Sequence, residues 1–216
     1  MSKLVWDQSG YREFESGVRN VVLYPMSGNT YGNGVAWNGV TGIDENPGGA
    51  DVTDLFADDI KYASLRAAET FGCTISAFTY PDEWNECDGS EEAATGVFVG
   101  QQARKAFGLC YRTAIGDDQH PGMDKGYKIH IIYNSTASPS ARSYATINDN
   151  PDAITFSWEA TSTPVACTGK KAVSTIVIDS TKADDTKLKA LEALLYGTEN
   201  AEATLPDPNT VLSTFA

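Results

Sequence analysis

The segment YKIHIIY (residues 127–133) alternates apolar and polar side chains, and this alternation decides the fold class. Ile129, Ile131 and Tyr133 fall on one side of an extended chain, with Lys128 on the other. A period of two is typical of a β-strand that lays one face on a core, whereas helices repeat about every 3.6 residues. The sequence therefore predicts a strand over residues 127–133.

The same period of two recurs in four further stretches, which cover residues 73–80, 104–113, 154–159 and 173–178. Few helical patterns separate these stretches. Consecutive strands without helices between them favour antiparallel pairing, because parallel strands need long crossover connections. The sequence thus predicts a mainly β protein, an antiparallel β-sandwich or barrel rather than a doubly wound sheet.

One amphipathic helix is predicted over residues 181–197. Leu188, Leu191 and Leu195 recur on one helical face, and Gly197 stands where a helix commonly ends. Because such an apolar stripe is stable only when it is buried, we expect this helix to flank the sheet and cover its open side.

The length of 216 residues suits one elaborated β domain. Its expected parts are an N-terminal arm with the first strands (about 1–34), a β core (about 35–180) with a long loop near 44–56, the helix (181–197) and a C-terminal tail (198–216). Shorter turns of helix are predicted over residues 81–87 and 209–215. Glycine and asparagine are frequent between residues 28 and 54, and such a segment is costly to order. It is expected to be either a mobile loop or a segment that a partner orders.

The formal net charge is −13, and the acids are unevenly placed. Residues 1–100 hold 16 acids and 5 bases, whereas residues 101–216 hold 13 acids and 11 bases. Tight binding of nucleic acid needs cations clustered on one face, so this function is disfavoured. The densest acidic stretch, residues 44–92, has two interpretations. It forms either a solvated face that maintains solubility or a surface that repels polyanions.

The four cysteines are widely spaced and lack the common spacings of zinc ligands. We expect them to be buried free thiols. The sequence has no run of about 18 apolar residues that would predict a membrane span, and its first ten residues do not resemble a signal peptide. We therefore expect synthesis in the cytoplasm and no membrane partner.

One stretch offers a candidate for sugar chemistry. Asp82, Glu83 and Glu86 place paired carboxylates beside Trp84, which could stack on a sugar ring. A carbohydrate-binding or glycan-hydrolysing β-sandwich is therefore the alternative function, although dense acids supply such pairs by chance. The two histidines and the acids of residues 44–54 lack metal-ligand spacing, so no catalytic, metal or cofactor site is predicted.

Many segments, all in the same order along the chain, resemble the major tail tube proteins of bacteriophages with long, non-contractile tails. The likeness covers about residues 35–197, and it is carried by AWNGV (36–40), NPGGA (46–50), ADDIKY (57–62), TYPDEW (79–84), CDG (87–89), GQQ (100–102), FGLCYRT (107–113), GYK (126–128), SYATIN (143–148), FSWE (156–159), IDST (178–181) and LYG (195–197).

This resemblance implies a structural virion protein rather than an enzyme. Subunits of the family form hexameric rings that stack around a tape-measure protein, and the resulting tube conducts DNA into the host. The implied partners are further copies of the chain, the tape-measure protein, the tail terminator and the distal tail proteins. The implied location is the virion tail, assembled in the host cytoplasm, and no cofactor is implied.

The resemblance gives the acidity a specific interpretation. A bore that conducts double-stranded DNA must not bind it, and each cation facing the bore would capture a phosphate. Asp58, Asp59 and Glu69 flank a predicted strand around residues 61–65 in the densest acidic stretch. We therefore expect these three carboxylates to face the lumen. The glycine-rich segment is expected to fold on a neighbouring subunit during assembly.

Overall fold

A computed structural model describes residues 3–147 and 153–216, so Asn148 of the SYATIN segment lies outside the described residues. The protein is mainly β, as the sequence predicts. Its strands are β1 (Phe14–Ser27), β2 (Thr30–Tyr31), β3 (Val35–Ala36), β4 (Val40–Gly49), β5 (Val52–Ala57), β6 (Ile60–Arg66), β7 (Glu69–Ala77), β8 (Glu91–Ala94), β9 (Val97–Val99), β10 (Phe107–Gly116), β11 (Gly126–Ala137), β12 (Phe156–Ser162) and β13 (Thr175–Asp179). Its helices are α1 (Trp84–Asp88), α2 (Asp185–Tyr196) and α3 (Pro208–Phe215).

Nine strands form one antiparallel sheet, in the order β2, β1, β10, β11, β12, β7 and β4, with β13 paired to β11 and β3 paired to β1. The remaining strands form two separate hairpins, β5–β6 and β8–β9. No sheet closes on itself within the described part of the chain. The arrangement is therefore an open, sandwich-like sheet rather than a closed barrel.

The sheet curves around a core that is rich in tryptophan. Trp37, Trp84 and Trp158 are almost completely buried in it. The ring centroids of Trp37 and Trp84 lie 4.6 Å apart, and the Trp37 indole donates a hydrogen bond of 2.8 Å to the Thr79 carbonyl. Strands from both ends of the sheet contribute to this cluster, which is why the sheet bends around it.

A second core lies between the opposite face of the sheet and the C-terminal helices. Leu188, Leu191 and Leu195 of α2 are buried there, as predicted. The helix begins at Asp185 rather than near residue 181, because the carboxylate of Asp184 accepts hydrogen bonds from two backbone amides of the first turn. α3 caps the same core and confirms the predicted helical turn in the C-terminal tail.

The prediction of a long loop near residues 44–56 is wrong, because two strands occupy this segment. β4 pairs along its length with β7, and β5 pairs with β6. Ile43 lies opposite Ile75, so the segment has a core-facing side although glycine and asparagine obscure its period of two. The order of this segment comes from pairing within the chain, which supplies the backbone hydrogen bonds that its composition alone does not imply.

All four cysteines are buried free thiols, as predicted. Burial raises the pKa of Cys73, Cys87 and Cys110 to about 12. These thiols are therefore protonated and unreactive at neutral pH, because the thiolate is the nucleophile.

Replacing Leu191 tests the helix-covered core. The Leu191→Ala variant should lower the free energy of unfolding by about 2–5 kcal/mol, because it leaves a cavity in a fully buried position. Leu194→Ala, on the same helix but 41% exposed, is the matched control and should cost less than about 1 kcal/mol. Urea unfolding followed by circular dichroism measures both losses, and equal losses would contradict the placement of α2.

Candidate assembly surfaces

The hairpin β5–β6 projects from the main sheet as a continuation of β4 and β7. Two backbone hydrogen bonds bridge the junction, from the Ala50 amide to the Ala68 carbonyl at 3.3 Å and from the Ala67 amide to the Asp51 carbonyl at 2.9 Å. Beyond this junction every residue of β5 is exposed, and β6 is exposed except at the half-buried Ala63. The hairpin is therefore a solvent-exposed extension of the sheet.

The two faces of this hairpin differ in chemistry. Side chains of paired residues share a face, and they alternate along each strand. One face, called here the apolar hairpin face, consists of Thr53, Leu55, Ala57, Ile60, Ala63 and Leu65. The other face is mixed: it carries the exposed Val52 and Phe56, and on it Asp54 forms an ion pair of 2.8 Å with Lys61 and accepts a hydrogen bond of 2.6 Å from Ser64.

The apolar hairpin face is uncovered in the isolated chain. Leu55, Ile60 and Leu65 are 42%, 65% and 57% exposed. Large apolar side chains grouped on one surface mark an interaction site, and a two-stranded hairpin alone is marginally stable in water. This face has the properties of a surface that a protein partner covers.

The predicted lumen residues lie at opposite ends of this hairpin. Asp58 and Asp59 form its tip and have positive φ angles of 53° and 61°, which suit the central positions of a tight hairpin turn. Glu69 begins β7 at the base of the hairpin, where it pairs with Gly49. The structure does not bring the three carboxylates together, and their position in a bore stays a prediction.

A second surface is formed by the outer face of β4, β7 and β12. Asp44 and Glu159 both pair with Thr74, so the two carboxylates flank one threonine across three strands. The same face carries only small or uncharged polar neighbours, and we call the whole set the polar sheet face: Asp44, Asn46, Thr74, Ser76, Ser157, Glu159 and Thr161. It contains no lysine or arginine. The sequence pattern does not indicate this surface, because the glycines and Pro47 make residues 44–49 of β4 resemble a loop.

The prediction that Trp84 stacks on a sugar ring is wrong. Its side chain is fully buried, packed against Trp37 and against Phe107 at a centroid distance of 4.9 Å. α1 turns Trp84 inward, while Asp82, Glu83 and Glu86 remain exposed outside. Glu86 forms an ion pair with Lys105. Trp84 is therefore not available to stack on a sugar ring beside these carboxylates.

A polar network that the sequence did not indicate lies between β1, β4, β10 and β11. The imidazole of His130 stacks on Tyr111 at 4.7 Å, and its two nitrogens lie 3.3 Å from Glu15 and 3.6 Å from Glu45. The Tyr111 hydroxyl donates a hydrogen bond of 2.6 Å to Glu45. The His130 imidazole makes the largest contribution to lowering the pKa of Glu45, and the Tyr111 hydroxyl lowers this pKa further. Together they outweigh burial, which raises the pKa of Glu45.

This network predicts a loss of stability in acid. A carboxylate whose pKa is lowered by folding stabilises the protein above its ordinary pKa of 4.5, and this contribution disappears as the pH falls through the folded value. The urea concentration at the unfolding midpoint should therefore decrease as the pH is lowered below about 4.5. This decrease should be less steep in Glu45→Gln. Glu83→Gln, an exposed control, should keep the parent profile. A profile of Glu45→Gln that matches the parent would contradict the prediction.

Among residues 3–147 and 153–216, no group of histidine, cysteine and acidic side chains is arranged to hold a metal ion. None of the helices in this described part is long and apolar enough to cross a membrane.

Comparison with known proteins adds no assignment. No protein-family model matches the chain, and a search of curated proteins finds no match. Its functional interpretation therefore depends on the surfaces described above and on the resemblance in its sequence segments.

Proposed function

We propose that this chain is a structural subunit that assembles with copies of itself into the stacked hexameric rings of a bacteriophage tail tube. The apolar hairpin face carries the proposal, because its exposed leucine and isoleucine side chains need a protein partner. The resemblance of the sequence to major tail tube proteins supplies the architecture, in which a second copy is that partner.

The edges of the sheet favour the same function. β4 ends the main sheet, so one side of its backbone is unpaired within the described chain. Unpaired edges and exposed apolar hairpins promote association, which closed rings limit by burying every repeat of one interface. A neighbour that covers the apolar hairpin face would also stabilise a hairpin that is weak alone.

The polar sheet face fits the wall of a conduit for DNA. Its charged side chains, Asp44 and Glu159, are both acidic and exposed. A surface without cations offers no partner for phosphate, so DNA would slide past it without releasing counterions. We therefore add these two residues to Asp58, Asp59 and Glu69 as candidates for the lumen.

The remaining elements of the proposal come from the resemblance. The tube would contact a tape-measure protein inside, and terminator and distal tail proteins at its ends. It would be assembled in the host cytoplasm and would function in the virion tail. The proposal includes no catalysis and no cofactor. The carbohydrate alternative is not retained, because Trp84 is buried away from the acids that suggested it.

Charge placed on the apolar hairpin face should prevent assembly. The Leu55→Asp/Ile60→Asp variant is expected to stay monomeric, since burying two unpaired carboxylates at an interface is costly. Ser64→Asn, on the opposite hairpin face, is the control and should assemble like the parent. Negative-stain microscopy and sedimentation velocity measure the outcome. Rings or tubes formed equally well by the double aspartate variant would contradict the role of this face, and a parent that never assembles would refute the proposed function.

Reversing charge on the lumen should convert a passive bore into one that holds DNA. Tubes of the Asp44→Lys/Glu159→Lys variant are expected to retain short duplex DNA in a form protected from nuclease, and salt should release it. The Asp58→Lys/Asp59→Lys/Glu69→Lys variant applies the same test to the three lumen residues predicted from the sequence. Protection in only one variant identifies the residues that face the bore. If both variants form intact tubes and neither protects DNA from nuclease, neither set of residues faces the bore.

A further inference from the structure

Two free edges of the main sheet face each other across a cleft. β4 pairs with β7 alone, and β1 as far as Arg19 pairs with β10 alone. No backbone pairing joins β1 to β4 within the described part of the chain. The cleft between them, called here the seam, has a volume of about 480 Å³ and is lined by residues 15–18 of β1, residues 41–44 of β4 and Thr113. Side chains, not backbone hydrogen bonds, therefore hold the seam together.

The imidazole of His130, on the central strand β11, reaches both edges of the seam. Its Nε2 lies 3.3 Å from a carboxylate oxygen of Glu15 on β1, and its Nδ1 lies 3.6 Å from a carboxylate oxygen of Glu45 on β4. The side chain is 14% exposed and is held in place by stacking on Tyr111. In the described chain, no other side chain forms ion pairs with both of these carboxylates.

The number of protons on this imidazole decides whether both contacts are attractive. The Thr113 hydroxyl donates to Glu15 and lies 3.1 Å from Nε2, so its oxygen can accept the Nε2 proton. Nδ1 is buried, has no hydrogen-bond partner among the described residues, and faces Glu45. A neutral imidazole has one N–H and one lone pair, so an Nε2-protonated ring turns its Nδ1 lone pair toward a carboxylate. A second proton on Nδ1 replaces this repulsion with a charge-assisted contact.

The other titratable groups around the imidazole keep one charge state near neutral pH. They are Glu15 on β1, Glu45 on β4, Cys73 on β7, Tyr111 on β10 and Lys128 on β11. Burial raises the pKa of Glu15, but hydrogen bonds from Lys128 and Thr113 outweigh this effect and lower it, and the bond to Glu15 raises the pKa of Lys128. Burial, and after it Glu45, raises the pKa of Tyr111, and burial raises the pKa of Cys73 to about 12. On β13, the residue paired with His130 is Val177, which carries no charge.

We propose that His130 is a pH-operated latch across the seam. The imidazolium bridges Glu15 and Glu45 and holds the edges of β1 and β4 together, and loss of the Nδ1 proton releases the β4 side. Histidine changes its charge between about pH 5 and 8, so the seam closes in mildly acidic solution and loosens in mildly alkaline solution. The latch acts within one chain and is independent of the proposed function.

Release of the latch is a local change. β4 stays paired with β7 and β1 stays paired with β10, while Val18, Val40 and Ile43 pack against the tryptophan-rich core. Opening therefore affects the Glu15–Glu45 end of the seam and leaves the rest of the sheet folded. It is also separate from the loss of stability in acid, which follows protonation of Glu45 at lower pH.

Two spin labels across the seam test the latch. The labels are attached to Ser16→Cys on β1 and Thr41→Cys on β4, which are exposed and line the seam. The native cysteines are buried and do not react with the label. Dipolar broadening between the labels should decrease as the pH is raised from about 6 to about 8, and it should follow the titration of one proton. Broadening that stays constant over this range would overturn the proposal.

The two histidines of the chain provide a matched pair of variants. His130→Gln, in the spin-labelled chain, keeps a polar side chain that does not titrate and should abolish the pH response. His120→Gln removes the histidine that pairs with Asp117 outside the seam and should keep the response. Glu45→Gln retains the imidazole but removes the charge that it contacts, so the response should also be lost there. A response that persists in His130→Gln or Glu45→Gln, or that disappears in His120→Gln, would contradict the latch.

Hydrogen exchange gives a second measurement on the unmodified chain. After correction for the intrinsic effect of pH, peptides that cover β4 should exchange about tenfold faster at about pH 8 than at about pH 6, the factor that corresponds to one hydrogen bond to a charged group. Peptides that cover β12, which is paired on both sides, are the control and should keep the same corrected rate. Equal changes in β4 and β12, or no change in β4, would overturn the latch.

Discussion

The central strands of the sheet are buried on both faces, and the rest of the fold depends on this constraint. In β10, Phe107 and Leu109 enter the tryptophan-rich core, while Cys110 enters the core beneath the helices. A strand of this kind needs cover on both sides. The curvature of the sheet supplies one cover, and α2 with α3 supplies the other.

Elements beyond this double core keep apolar surface that the chain does not cover. The apolar hairpin face and the N-terminal residues Leu4, Val5 and Trp6 lie outside both core clusters and expose large side chains. Their uncovered area contrasts with the complete burial of Trp84 and Trp158. The core side chains are completely buried, whereas apolar side chains on the extensions stay exposed. Such a protein is suited to association, because a second copy can bury these exposed side chains.

Local pattern predicted the regular parts of the fold well. The alternation around Ile129 and the leucine spacing of α2 identified a central strand and the flanking helix, because each pattern reports which side of its own element is buried. The same reasoning failed for β4, whose glycines and Pro47 resemble a loop and whose strand exists through pairing with β7. It also misplaced Trp84, since neighbouring acids do not show which way a short helix turns its aromatic side chain.

The sequence by itself determined the antiparallel β class, the covering helix, the buried thiols and the concentration of acid in the first half of the chain. These properties follow from composition and local periodicity. Tertiary structure alone decided that Asp44 and Glu159 share one face and that His130 lies between Glu15 and Glu45. These arrangements join residues far apart in the chain, and only strand order and register bring them together or hold them apart.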